Sequence, residues 1–222
     1  MMMVTGMTIE PDKLLLLLNW TSPTFPIGAF AYSHGLEWAI ASGDVHDGES
    51  LEAWIGDLLT FGSGWNDAVL IANTSADTLA EINALALSLP ASAERYQEVT
   101  ALGRNFADAV VAYMPLPFAE TREPIAYPVA LAAAGLGAGI PLEPLLLAYL
   151  QGFCATLVSV AVRLVPIGQR AGLGVQSRLM PLITQTVARA LTSDLDDLGG
   201  AAFQADLASL HHAFQQPRIF RT

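Results

Sequence analysis

Ser33 and His34 stand side by side in "TFPIGAFAYSHGLEW", with Asp44 a short way downstream, so the residue types of a serine hydrolase occur in one stretch. A nucleophilic serine also needs geometry: a strand, a sharp elbow and a helix that lift its hydroxyl toward the base. Those flanks are missing here, and the pair reads as a loop serine beside a partly buried histidine. Cys154 lies inside the most apolar run of the chain. Apolar surroundings disfavour the thiolate, so it reads as an inert core cysteine.

Metal chemistry meets a similar obstacle. His211 and His212 are adjacent, and on a helix adjacent side chains diverge by about 100° and cannot clamp one ion as an i, i+4 pair does. His46 and Asp44 could share an exposed site, but a plain loop accounts for them equally. Without a cluster of His, Cys and carboxylates, a metal ion is expected to bind no tighter than at a surface histidine pair. There is no phosphate-binding glycine loop and no basic aromatic patch.

The elements that must position these residues are helical. After Asp47, a capping residue, Leu51, Trp54, Ile55, Leu58 and Leu59 recur on one face, with Glu49 and Glu52 in the first turn. After Ser92, the residues Tyr96, Val99, Leu102, Phe106, Val110 and Tyr113 make a second stripe, which leaves Glu98, Arg104, Asn105 and Asp108 off it. "ADTLAEINALALSLP" and "MPLITQTVARALT" follow the same period, Pro181 either opening a turn or kinking the rod. Period-two alternation is absent. The chain therefore reads as all-α, a single-domain helical bundle of roughly eight to ten helices. Residues 1–13 read as a flexible N-terminal segment and 14–222 as the helical domain, its last part, 203–222, being a helix with the stripe Phe203, Leu207, Leu210 and Phe214, ended by Pro217, and a tail.

Composition narrows the function classes. Of 222 residues, 53% are hydrophobic and only 14% charged, with a mean hydropathy of +0.44. Some of that apolar surface must be covered by a membrane, an oligomer or a partner. A formal net charge of −11 sets the chain against nucleic acid and anionic lipid. One cysteine fits a reducing compartment, the cytoplasm. The leucine run at 14–18 breaks at Asn19 and follows Glu10 and Asp12, so it is not read as a signal peptide. Between Glu123 and Arg163 the one charge is Glu143, which leaves a membrane hairpin as an alternative. Pro124, Pro128, Gly135, Gly137 and Gly139 in the first run, and Gln151, Thr156 and Ser159 in the second, favour buried core helices.

Two signatures remain. "FPIGA" at 25–29 is echoed by "VPIGQ" at 165–169, and the chain ends in "RIFRT" after Pro217, a mix of arginine and apolar groups suited to an interface. "SPTFPIGAFAYSHGLEWAI", "RLVPIGQ" and "RIFRT", in that order and with "ALGRNF" and "YPVALAAAGLGAGIP" between them, resemble the urease accessory protein F family, UreF. The resemblance covers nearly the whole chain from about Leu14. It implies an all-helical, usually dimeric, non-enzymatic scaffold without a cofactor. Such a scaffold binds accessory protein D, called H in some organisms, recruits the GTPase accessory protein G and helps deliver nickel to apo-urease. It further implies a partner-binding surface made of Phe25, Pro26, Gly28, Phe30, Tyr32, Ser33 and Glu37 in the loop and Arg218, Phe220 and Arg221 in the tail. Arg163, Pro166, Gly168 and Gln169 would support the core or the dimer. His34, Ala213 and Pro217 depart from the family pattern, which commonly has glutamine, glutamate and serine or threonine there. For the loop, packing against the protein's own interior stands as the other reading. The tail is expected to contribute little to the core.

Overall fold

The computed structural model describes residues 9–116 and 123–222; the expectation for the N-terminal segment falls largely on residues 1–8, outside the described part. Among the described residues are ten α-helices, two short 3-10 turns and no strand. Helix α1 (Pro11–Trp20) starts inside the segment read as flexible. It buries Leu17 and Trp20 and leaves Leu14, Leu15 and Leu18 of the leucine run exposed. The chain then enters the loop, with a 3-10 turn at Ala29–Ala31, and continues as α2 (Leu36–Ser42) and α3 (Gly48–Phe61).

Asp47 caps α3 as its residue type requires: its carboxylate accepts from the backbone N–H groups of Glu49 and Ser50, and Ser50 bonds back to complete the box. Leu51, Trp54, Ile55, Leu58 and Leu59 are all buried, as the spacing predicts. Helices α4 (Ser63–Asn73) and α5 (Leu79–Ser88) lead to α6 (Ala93–Val110), where Ser92 accepts from the Arg95 N–H.

The apolar run expected to be core helices forms α7 (Tyr127–Ala138) and α8 (Leu142–Leu164). Helix α8 is long and apolar enough to cross a bilayer, and half of its most apolar stretch is buried inside this bundle. Helix α9 (Gly168–Ala190) packs along α8 and α3 and runs through Pro181 without ending there. The chain finishes with α10 (Phe203–His212), seated on α2, and the tail. Trp20, Ile55, Phe106, Leu131, Leu146 and Leu150 are among the side chains closed off at the centre of one main core.

Two helix faces differ from the sequence pattern. On α6, Tyr96 is exposed, as is Tyr113 just past its end, while Glu98, placed off the stripe, is 1% exposed. A carboxylate survives that burial because Arg95 and His34 lie against it. On α10, the stripe of Phe203, Leu207 and Leu210 faces outward, as does Phe214 just past its end, and Ala208, Ser209 and His212 face in. Small residues are needed there because α2 comes so close: a Cβ on Gly35 would lie 2.7 Å from the Ser209 backbone nitrogen.

Candidate partner-binding surface

The echo between "FPIGA" and "VPIGQ" is a shared backbone geometry. In each, the isoleucine N–H bonds to the carbonyl two residues back, Ile27 to Phe25 and Ile167 to Val165, both at 2.8 Å. Proline sits at the centre of this tight turn, whose φ it already fixes. A left-handed glycine follows each time, Gly28 at φ +80° and Gly168 at +72°. Each turn thus redirects the chain into a helical segment, the 3-10 turn after Gly28 and α9 after Ile167.

The first turn is anchored from below. Phe25 packs against Phe106 and Tyr113, and the Asn105 side-chain amide donates to the Ile27 carbonyl at 2.9 Å. "ALGRNF" is therefore the platform of the loop. Phe25, Tyr32, Ser33 and Glu37 are buried, Gly28 is half-buried, and Pro26 and Phe30 are exposed, Phe30 at 72%. The two readings of the loop divide it by residue: most of it packs inward, and it lifts Phe30 out.

The tail lies against the same loop. The Arg221 N–H donates to the Ala31 carbonyl at 2.9 Å, the Ser33 N–H donates to the Thr222 carbonyl at 3.1 Å, and the Ser33 hydroxyl donates to that carbonyl too. The N–H groups of Ile219 and Phe220 donate to Glu37 at 2.7 and 2.9 Å, and the Thr222 hydroxyl donates to Glu98 at 2.7 Å. Phe220 is only 3% exposed and Thr222 is buried, so the expectation that the tail stands outside the core is corrected. Sequence gave no sign of this, because the carboxylates that receive the tail are far away in the chain. Arg218, Ile219 and Arg221 remain exposed.

Arg163 joins loop and tail. Its guanidinium lies over the Phe220 ring, 4.5 Å from the centroid, and two of its nitrogens reach the Phe30 carbonyl at 3.3 Å. Pro166, Gly168 and Gln169 are exposed just beyond the end of α8. The outer face built here combines Phe30 and Ile219 with Arg163, Arg218 and Arg221. It is an apolar and basic patch on a chain of net charge −11.

The residues that could do chemistry are occupied otherwise. Asp44 accepts from Ser42 at 2.7 Å, and the Ser33 hydroxyl is given to Thr222, so no relay of Ser33, His34 and Asp44 forms. His34 holds a left-handed conformation at φ 58°. Burial pushes its imidazole below the usual value, and the Arg95 charge adds to this against the pull of Glu98. Burial pushes Glu98 up, but Arg95 and His34 outweigh it and hold the carboxyl at about 2. Burial raises the Cys154 thiol to about 12, which suits an inert cysteine. A cavity of about 250 Å³ runs between α4, α6 and α10, with His34, Ser63, Asp67, Arg95 and Ser209 in its wall. Burial raises Asp67 to about 6, although the Tyr149 hydroxyl donates to it at 2.6 Å. His46 faces Gly43 and Asp47, and no group of three or more His, Cys, Asp or Glu suited to a metal ion occurs among the described residues.

A family model described as UreF matches residues 45–180. The chain is 46% identical to the urease accessory protein UreF of Xanthobacter autotrophicus, over 96% of this chain and 92% of that protein. It is 43% identical to the UreF of Azorhizobium caulinodans over 99% of this chain and the whole of that protein. The UreF of Rhizobium leguminosarum bv. viciae is 46% identical, over 96% and 98% of the two chains.

Proposed function

This chain belongs to the UreF family of urease accessory proteins, and from that premise we propose that it is a non-catalytic scaffold for urease maturation in the cytoplasm. It binds accessory protein D/H through the face where loop and tail meet, recruits the GTPase G, and in that assembly supports nickel insertion into apo-urease. It works as a homodimer and holds no nickel tightly itself. The observation that supports this best is Phe30, an aromatic ring 72% exposed on a loop whose other large groups are buried. Exposed aromatics on a fixed backbone, flanked by arginines, are the usual makings of an interface hot spot. Pro26, Phe30, Arg218 and Arg221 make the direct contacts. Phe25, Tyr32, Ser33, Glu37 and Phe220 hold them in place, and residues 163–169 brace the loop from behind.

Calorimetric titration with accessory protein D tests the reading. Phe30→Ala should weaken binding by at least tenfold, since truncating a hot spot costs about 2 kcal/mol, with an unchanged melting temperature. Equal affinity of Phe30→Ala and parent would remove this face from the interaction.

A further inference from the structure

The tail is received by two carboxylates, and one side chain joins them. Glu37 on α2 accepts the N–H groups of Ile219 and Phe220, and Glu94 on α6 accepts from the Arg218 guanidinium at 2.6 Å. Between them lies His212 at the end of α10, fully buried. Its Nε2 is 3.0 Å from one Glu37 oxygen and its Nδ1 2.7 Å from one Glu94 oxygen. The ring therefore bridges the two carboxyl groups through its two nitrogens. The Glu37 oxygen it meets also receives the Phe220 N–H. The position of His212 therefore sets the position of the acceptor on which the tail docks.

We propose that His212 is the latch of the C-terminal tail: by bridging Glu37 and Glu94 it fixes the acceptors for Ile219, Phe220 and Arg218 and keeps the tail closed on the loop. The other charged groups nearby are committed elsewhere. On α6, Arg95 pairs with Glu98, and both meet His34. On α10, His211 stacks on the Trp38 ring. Arg218 reaches only the far oxygen of Glu94 from the surface. With His212 gone, nothing bridges the two carboxyl groups, and the acceptor for residues 219 and 220 is free to move. His212 is thus a positioning residue that acts through Glu37. The latch is a property of the isolated chain and rests on the proposed function only for the use of a released tail.

Amide hydrogen exchange followed by NMR on the isolated protein tests it. In His212→Gln the Ile219 and Phe220 amides should exchange at least tenfold faster, while Ile55 in α3 and Leu150 in α8 stay within twofold of the parent. Tail amides as protected as in the parent overturn the proposal. So does an equal loss at Ile55 and Leu150, which would make His212 an ordinary core residue. Glu37→Gln gives a second reading with His212 in place: one amide oxygen cannot serve both tail N–H groups and the ring, so the same two amides should open. If they stay closed, the latch is wrong. Partner binding enters none of these readouts, so a released tail with undiminished affinity for protein D counts against the proposed interface and leaves the latch standing.

Discussion

The Thr222 hydroxyl donates to the Glu98 carboxylate over 2.7 Å and ties the tail to the middle of α6. Together with the buried Phe220 ring and the two N–H groups on Glu37, this makes the tail a strap over the seam between α2 and α6. Removing residues 218–222 exposes Ser33 and leaves Glu37 and Glu98 short of donors. Lost burial of one aromatic ring and several hydrogen bonds amounts to about 3 kcal/mol. Thermal melts should show a drop of about 6–12 °C, given about 2–4 °C per kcal/mol for chains of this size. A truncated protein that melts with the parent would mean that the strap carries no load.

Gly35 is the narrowest point between α2 and α10. At φ +78° it has a backbone that disfavours a side chain, and a Cβ there would meet the Ser209 nitrogen at 2.7 Å. Gly43, at φ +88° with nothing within 4 Å of its Cβ position, separates the two effects. Gly43→Ala should cost about 1 kcal/mol through conformation alone. Gly35→Ala must also push α10 off α2 and should cost at least about 3 kcal/mol by urea unfolding. Equal costs would show that the helices part easily.

Asp67 gives the chain a pH dependence of definite sign. Its folded value, raised to about 6 from 3.8, means that between those values the folded chain binds more protons than the unfolded one. Stability therefore falls as pH rises through that window, and the penalty is complete above about 6. Because the side chain reaches the cavity wall, the penalty is on the order of 2 kcal/mol. Asp67→Asn keeps an acceptor for the Tyr149 hydroxyl and removes the charge. It should be more stable than the parent at pH 7.5 and equal to it near pH 4 in parallel urea titrations. A constant difference across that range would place the titration elsewhere.

The helices were legible wherever their signals were local. Asp47 and Ser92 cap the helices they precede, and the stripe from Leu51 to Leu59 is the buried face of α3, because capping and periodicity act within a few residues. The proline-glycine echo was visible for the same reason. What the sequence concealed was polar and long-range. Glu98 reads as a solvated carboxylate until Arg95, His34 and Thr222 converge on it, and His212 reads as half of a histidine pair until Glu37 and Glu94 enclose it. A buried polar group is stable only with its partners, and four of these five lie on other elements. Apolar periodicity misled on α10, where close approach to α2 selects small residues rather than large ones.

Arg163 offers the sharpest separation between bracing and contact. Its guanidinium covers the Phe220 face while its nitrogens hold the Phe30 carbonyl, so one planar group fixes the tail and the exposed ring of the loop relative to each other. Arg163→Lys keeps a charge over the ring but loses the fork that spans two targets. A partly exposed cation–π pair contributes about 0.5–1 kcal/mol, so the melting temperature of Arg163→Lys should fall by no more than about 4 °C. Affinity for protein D should fall further than this stability loss implies, several-fold and mainly through faster dissociation, because Phe30 and the tail no longer arrive in one fixed arrangement. Combining Arg163→Lys with Phe30→Ala then reads the coupling. If Arg163 acts by bracing Phe30, the double variant should bind little worse than Phe30→Ala alone. Fully additive losses in the calorimetric cycle would instead assign Arg163 a contact of its own with the partner.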